Sequence, residues 1–484
     1  MFNQIKKLSQ QSLVYGGGHI IARLITFLLL PLYTNVFSLE EYGVISLAYA
    51  FLGFMGVILH YGLDASLMKH YVPANHEDRK TYLTNTYASY LITSILSFII
   101  IILFKSFLAP VVLSGDFAEY MPYFAGILLL DILWSVPMLI LRSEEKPLYY
   151  ILMSLTNVGL SLILNLYFVL SLNIGIKGVF FSNIITSGFL WLFTLPFLAH
   201  RVAFKSLSFS AWKKLMKFGL PFLPSGVFAM IMELADRYIL SWITNFETVG
   251  HYSAGYKLGM FMLLVVMGFN MGWQPFFLKD GNCEEKKKMF SVITTYVLWV
   301  MGLFWVVLIL WVESFIKVDF GGFTFYGPEY WSSTSIALWI ALGYLFYAVY
   351  ILQLPGPFLT NKSGFIAWTR AIGAIANIGL NIFLIPIYGA MGAAYATCAS
   401  FGIMAVFLFF INRKIYSVRY EWRRLIRIGL CLLIIGVVSM NYHLTIAQKW
   451  LVTLAFPLIT LLGGFLTVRE KEKIKNIFKQ KGST

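Results

Sequence analysis

Residues 213–257 read KKLMKFGLPFLPSGVFAMIMELADRYILSWITNFETVGHYSAGYK. Two apolar runs of membrane length flank a short polar break at Asn245–Val249, and a helix needs about 20 residues to cross the hydrocarbon core. Glu233, Asp236, Arg237 and Lys257 sit inside these runs, and Pro221 and Pro224 fall in the first third of the first run. An ionisable side chain at that depth is expensive and faces a cavity or a partner, so it marks a functional site. The stretch therefore reads as a transmembrane hairpin that carries chemistry.

The remainder of the chain has the same character. Only 12% of residues are charged, about half the share found in soluble domains, and mean hydropathy is +0.76. The expected fold class is an all-α polytopic membrane protein with about fourteen transmembrane helices. Span 1 is expected at 12–36, span 5 at 148–171, span 7 at 218–244, span 10 at 332–357 and span 11 at 364–387. The polar, basic start MFNQIKKLSQQS leads straight into span 1, so no cleavable signal peptide is expected. With the N-terminus placed in the cytoplasm, thirty Lys and Arg fall on inside segments and four on outside ones. That asymmetry fixes both termini as cytoplasmic and accounts for the net charge of +15, so nucleic acid is not an expected partner. Cys283, Cys398 and Cys431 are scattered, which indicates neither a disulfide framework nor a metal site.

An internal repeat organises the spans. At an offset of 207, Lys6–Leu8 falls on Lys213–Leu215, and Glu40, Gly43, Ser46 and Tyr49 fall on Glu247, Gly250, Ser253 and Tyr256. At an offset of 216, Lys146 falls on Lys362 and Asn165 on Asn381. The chain divides into two pseudo-symmetric six-helix lobes, 1–207 and 208–420, and a C-terminal segment, 421–484, with two further helices and a basic tail. Six spans per lobe keep both lobes in one orientation, an arrangement that secondary transporters use with substrate held at the lobe interface.

The intramembrane charges are the candidate site residues. Arg23 lies midway along span 1, and Pro31 is expected to kink that span. Glu233 and Arg237, four apart, can pair on one face, whereas Asp236, about 100° from Arg237 around the helix, is expected to point elsewhere. Asp236 and Arg237 could instead snorkel to the outer interface. Lys257 follows on span 8. Arg370 in span 11 either lines a cavity or snorkels, and Asp131 is a lone carboxylate in span 4. Pro355 breaks span 10 as a gating helix would. The charges are expected to face one another across a central cavity. No nucleotide fold, metal cluster or ordered catalytic triad is visible, so no cofactor is expected and energy would come from an ion gradient or transport would be passive.

LMKFGLPFLPSG at 215–226, ADRYILSWI at 235–243, ETVGHYSAGYKLG at 247–259, AIANIGLNIFLIPIYGAMGAAYAT at 374–397 and LEEYGVISLAYAF at 39–51 together resemble the bacterial polysaccharide exporters. These are O-antigen-type oligosaccharide-lipid flippases, in the superfamily that also contains lipid II flippases and multidrug and toxin extruders. The resemblance implies alternating access and export of an undecaprenyl-diphosphate-linked repeat unit across the bacterial inner membrane. It implies a cationic cavity, for which Arg23, Arg237 and Lys257 are the matching positions, with Arg370 a further candidate from its place in span 11. It leaves Asp236, Glu233 and Asp131 as candidates for coupling to H⁺ or Na⁺. The partners it implies are membrane lipids, a polysaccharide polymerase and chain-length machinery. A multidrug extruder of the same superfamily is the alternative. Less favoured is a membrane polymerase or ligase, because the outer loops are too short for a catalytic domain. A non-enzyme is expected.

Overall fold

The computed structural model describes residues 27–113, 117–280, 284–362, 364–442, 444–461 and 465. Among these the fold is all-helical, with eleven helices long and apolar enough to span a membrane and one further bent pair that passes the same test together. Span 1 is described only from residue 27, and its Arg23 lies outside the described residues. The last expected span is seen as α18 (Ile446–Thr460). The basic tail also lies outside.

Helix boundaries follow from local chemistry. α1 (Leu29–Val36) is separated from Phe27 by a turn at Leu28. Pro31 has no N–H for the Phe27 carbonyl, which is where a proline interrupts a helix. α2 (Leu39–His60) opens on a capping box, in which Ser38 Oγ accepts from the Glu41 amide and Glu41 Oε2 accepts from the Ser38 amide. α11 (Phe246–Asp280) opens on Asn245, whose Oδ1 accepts from the Thr248 amide at 2.9 Å. Ser38 and Asn245 are 207 residues apart, the same offset that relates Gly43 to Gly250.

Span 7 begins with a bend. α9 (Phe209–Gly219) and α10 (Phe222–Ile243) meet at 43°. Pro221 is the N-cap of α10 and Pro224 its third residue, positions where a missing N–H removes no helical bond. α9 packs with the first half of the molecule: Leu215 is buried there, and Ser66 Oγ donates to the Leu215 carbonyl at 2.8 Å.

Among the described residues one hydrophobic cluster, from Leu29 to Ala337, draws on both halves, and the two largest run from Val44 to Leu215 and from Met232 to Phe465. They join through α2 and α11, which cross backbone to backbone. A Cβ on Gly43 would lie 2.0 Å from the Phe246 carbonyl oxygen, and one on Gly250 1.9 Å from that of Leu39. Loops and helix starts at this end carry Glu40, Glu41, Glu119 and Glu247, and here the two halves are sealed together. The Tyr330 hydroxyl lies 2.8 Å from both the Phe37 and Ser38 carbonyl oxygens, and Asn35 Nδ2 donates to the Thr324 carbonyl at 2.7 Å. In the C-terminal pair, α17 (Trp422–Asn441) and α18 lie against α12 (Glu284–Ile316). Trp299 there donates to Thr460 at 2.8 Å and Trp311 to Thr453 at 3.1 Å.

The opposite, basic end carries a tied cluster outside the spans. Glu144, past α6 (Met121–Ser143), accepts from the Tyr71 hydroxyl at 2.9 Å and pairs with Lys146 at 2.7 Å and Arg201 at 3.2 Å. Burial pushes the Glu144 carboxyl up, but Lys146, Tyr71 and Arg201 outweigh it and hold the group below its ordinary value. Burial, reinforced by Glu144, raises the Tyr71 hydroxyl to about 12, so it stays a donor. Because the folded carboxyl has the lower pKa, its stabilisation is present above the unfolded value and fades as pH falls through the folded one. Glu144→Gln is therefore expected to cost about 1 kcal/mol at neutral pH. In thermal unfolding in detergent, the gap from the parent protein should narrow as pH falls below the ordinary glutamate value.

Candidate functional site

The centre of the molecule is α10. Asp236 is fully buried and Arg237 is 6% exposed, so neither snorkels to an interface. Asp236 Oδ1 accepts from the Arg237 backbone amide at 2.8 Å and from Arg237 Nη1 at 3.0 Å. Its Oδ2 accepts from the Tyr252 hydroxyl and, at 3.4 Å, from Thr397. The expectation that Asp236 points away from Arg237 is overturned. The wheel angle holds for Cβ, but the guanidinium swings at the end of a long flexible stem and reaches its neighbour. It also donates to the Glu233 backbone carbonyl at 2.7 Å and stacks 4.4 Å over the Tyr256 ring. The Tyr256 hydroxyl lies 2.8 Å from that of Tyr344. A buried charge persists only when paired and hydrogen-bonded, and this one is supplied on every side.

From this anchor Arg237 reaches a cavity of about 390 Å³ between the two halves. One wall, from α10 and α11, presents Glu233, Arg237, Ser253 and Lys257; the Lys257 ammonium lies 5.3 Å from the Tyr42 ring. Ser253 Oγ is buried with no hydrogen-bond partner among the described residues. The other wall comes from α1, α2, α7 (Pro147–Asn165) and α8 (Ile176–Ala199), and includes Tyr33, Tyr49, Asn157, Ser161 and Asn183. The described charges thus share one wall and do not confront one another across the space, because α10 and α11 are consecutive and both belong to the second half.

The other expected residues are placed as follows. Arg370, on α15 (Gly364–Tyr388), lines a second chamber of about 180 Å³ within the second half, where it donates to Ser225 at 3.3 Å. Glu233 borders both chambers. Asp131 is not on the cavity wall; its Oδ1 accepts from Ser187 and, at 3.1 Å, from Trp134. Pro355 starts the short helix α14 (Pro355–Leu359), is buried, and follows the break at Gln353–Leu354 that ends α13 (Thr334–Leu352). Gly373 on α15 packs closely against Met232 on α10.

A larger cleft of about 730 Å³ lies at the acidic end between α12, α13, α16 (Ala390–Ile415) and the C-terminal pair. Its ammonium groups are engaged locally, Lys317 with Glu313 at 2.7 Å and Lys449 with Ser314 at 3.0 Å. It belongs to one half only, whereas Glu233, Arg237 and Lys257 line the smaller cavity between the halves.

Asn157, Ser161 and Asn183 were not singled out from the sequence. The available signal was a polar stripe on span 5, in which Asn157, Ser161 and Asn165 recur every four residues and so share a helix face. Of the residues that hold Asp236 and Arg237, Tyr256 had a signal as the repeat counterpart of Tyr49, whereas Tyr252 and Thr397 gave none apart from their place in the motif strings.

Residues 8–279 match the family model described as "Polysaccharide biosynthesis protein". No curated protein matches the sequence. Among solved structures, the chain is similar to a lipid II flippase MurJ in an inward closed conformation, with a TM-score of 0.71 at 17% identity over 93% of this chain and 97% of that one. A multidrug resistance MATE family transporter of the MOP superfamily, inward-facing, gives 0.68 at 13% identity over 88% and 98%. A MOP superfamily transporter from Pyrococcus furiosus gives 0.55 at 14% identity over 85% and 94%.

Proposed function

The chain belongs to the polysaccharide biosynthesis protein family, a family of multi-pass membrane proteins of lipid-linked flippase or transporter type, and we propose that it flips undecaprenyl-diphosphate-linked oligosaccharides for O-antigen, capsule or exopolysaccharide synthesis. The movement runs from the cytoplasmic to the outer leaflet of the bacterial inner membrane, with both termini cytoplasmic. In this reading, residues 1–207 and 208–420 are the lobes that rock around the cavity, and 421–484 is an appendage. The observation that carries the proposal is the wall bearing Arg237 and Lys257, with the Ser253 hydroxyl, unpartnered among the described residues, beside them. Two cations and a hydroxyl donor suit a diphosphate. A multidrug extruder for organic cations would need the opposite balance, and Glu233 is the one carboxylate on the described lining. Arg23, outside the described residues, is a further cationic candidate from the sequence, and Arg370 would meet the substrate only if the second chamber joins the first.

Asp236 is the coupling position we favour over Glu233 and Asp131. It is the carboxylate at the junction of α10, α11 and α16, so taking up H⁺ or Na⁺ there would loosen three helices at once. Separate collapse of the two gradients assigns the ion. Pro31, Pro221, Pro224 and Pro355 are the hinge positions. Membrane lipids, a polymerase and chain-length machinery are the partners the reading calls for. Deleting the gene in its host tests the function: lipid-linked repeat units should accumulate on the cytoplasmic side and surface glycan should vanish. Intact glycan with heightened drug sensitivity would favour the extruder.

A further inference from the structure

The cavity wall opposite Arg237 and Lys257 has a different chemistry. α7 presents Asn157 and Ser161 one turn apart, α8 presents Asn183, and α2 presents Tyr49. None of these carries a formal charge, and each offers both a donor and an acceptor. Their supports are buried behind them. Asn165, 1% exposed, donates to the Ser161 carbonyl at 2.8 Å and to Ser161 Oγ at 3.4 Å, while its Oδ1 accepts from the Tyr33 hydroxyl at 2.8 Å. Ser161 Oγ is an acceptor in that contact, so its own hydrogen is left for the cavity. Behind Asn183, Ser187 lies 3.5 Å away and gives its hydroxyl hydrogen to Asp131. Asp131 thereby fixes the hydroxyl against which the Asn183 amide rests.

We infer that this neutral wall is a sugar subsite: Asn157, Ser161 and Asn183, with Tyr49 beside them, bind the first neutral sugar attached to the diphosphate held by Arg237 and Lys257. The assignment rests on the flippase reading and deepens it. Pyranose hydroxyls each donate and accept, so amides and hydroxyls match them where ammonium groups offer donors only. A tyrosine ring supplies an apolar face next to a polar tip. Placing the two chemistries on opposite walls also orients the substrate, with its diphosphate on the second half and its glycan on the first. Selectivity among sugars then resides in α7 and α8, since a site built to bond a hydroxyl rejects an analogue that leaves its own groups unpaired. Asp131 becomes a positioning residue for Asn183.

The test uses the full-length protein in nanodiscs with two probes: undecaprenyl diphosphate, and the same lipid carrying one N-acetylhexosamine. The parent protein should bind the sugar-bearing lipid more tightly. The N157A/N183A variant should lose about tenfold in affinity for that lipid, roughly the worth of one or two hydrogen bonds, while its affinity for bare undecaprenyl diphosphate stays unchanged, which also shows that it is folded. Asp131→Asn should lower affinity for the sugar-bearing lipid in the same selective way. Equal binding of both lipids by the parent, or equal losses for both lipids in N157A/N183A, overturns the subsite. If the parent binds neither lipid, the flippase reading itself fails and the subsite falls with it.

Discussion

Replacing Arg237 removes glycan export. Arg237→Ala is expected to lower surface-glycan display by at least about 100-fold, the loss of roughly 3 kcal/mol of substrate interaction. The alanine variant has a second effect, because Asp236 loses the only cation within reach among the described residues. An uncompensated buried charge destabilises by about 3–5 kcal/mol, so low protein level would confuse the result. The double variant D236N/R237M removes both charges at once and keeps similar volume. It is expected to reach the membrane at normal levels, measured by immunoblot, and still to export nothing. Normal export by this variant would mean that the guanidinium is not part of the substrate site. Arg237→Lys should fall between, since a lysine cannot bond Asp236, reach the Glu233 carbonyl and stack on Tyr256 together.

The second large effect lies where the halves cross. A Cβ at Gly250 would stand 1.9 Å from the Leu39 carbonyl oxygen, so Gly250→Val must drive α2 and α11 apart along their shared length. Overpacking of this kind costs about 1–3 kcal/mol in an ordinary core. The contact here is backbone against backbone and cannot be relieved by a rotamer, so the cost should reach or exceed the top of that range. The expected outcome is a variant that is lost from the membrane or elutes as aggregate on size exclusion in detergent, and Gly43→Val should behave likewise. Gly159 provides the control. It lies within α7, with nothing within 4 Å of an added Cβ, so Gly159→Ala should be neutral or stabilise by about 0.5–1 kcal/mol. Equal tolerance at Gly250 and Gly159 would contradict the crossing.

The fold was legible because the bilayer is a severe solvent. Backbone polar groups must be satisfied within each span, so apolar length alone marks the helices, and an ionisable residue such as Arg237 stands out against them. The repeat offset of 207 was visible in Gly43 and Gly250, but that the two glycines touch each other was not, because self-similarity says nothing of distance from an axis. The Asp236–Arg237 pair was misread because a helical wheel fixes Cβ directions and not the ends of long side chains. The neutral wall was missed for an energetic reason. Asn157, Ser161 and Asn183 can satisfy themselves on their own helix or a neighbouring one, so nothing in composition forces them toward a cavity. Arg23 lies beyond the described residues and remains a proposal from the sequence.

Transport by the purified protein is the most direct test of the central claim. The full chain, reconstituted in liposomes with a lectin-detectable undecaprenyl-diphosphate-linked oligosaccharide in the inner leaflet, should deliver that glycan to the outer leaflet, and D236N/R237M should not. Lectin binding that rises no faster with the parent protein than with the double variant or empty liposomes would contradict the account.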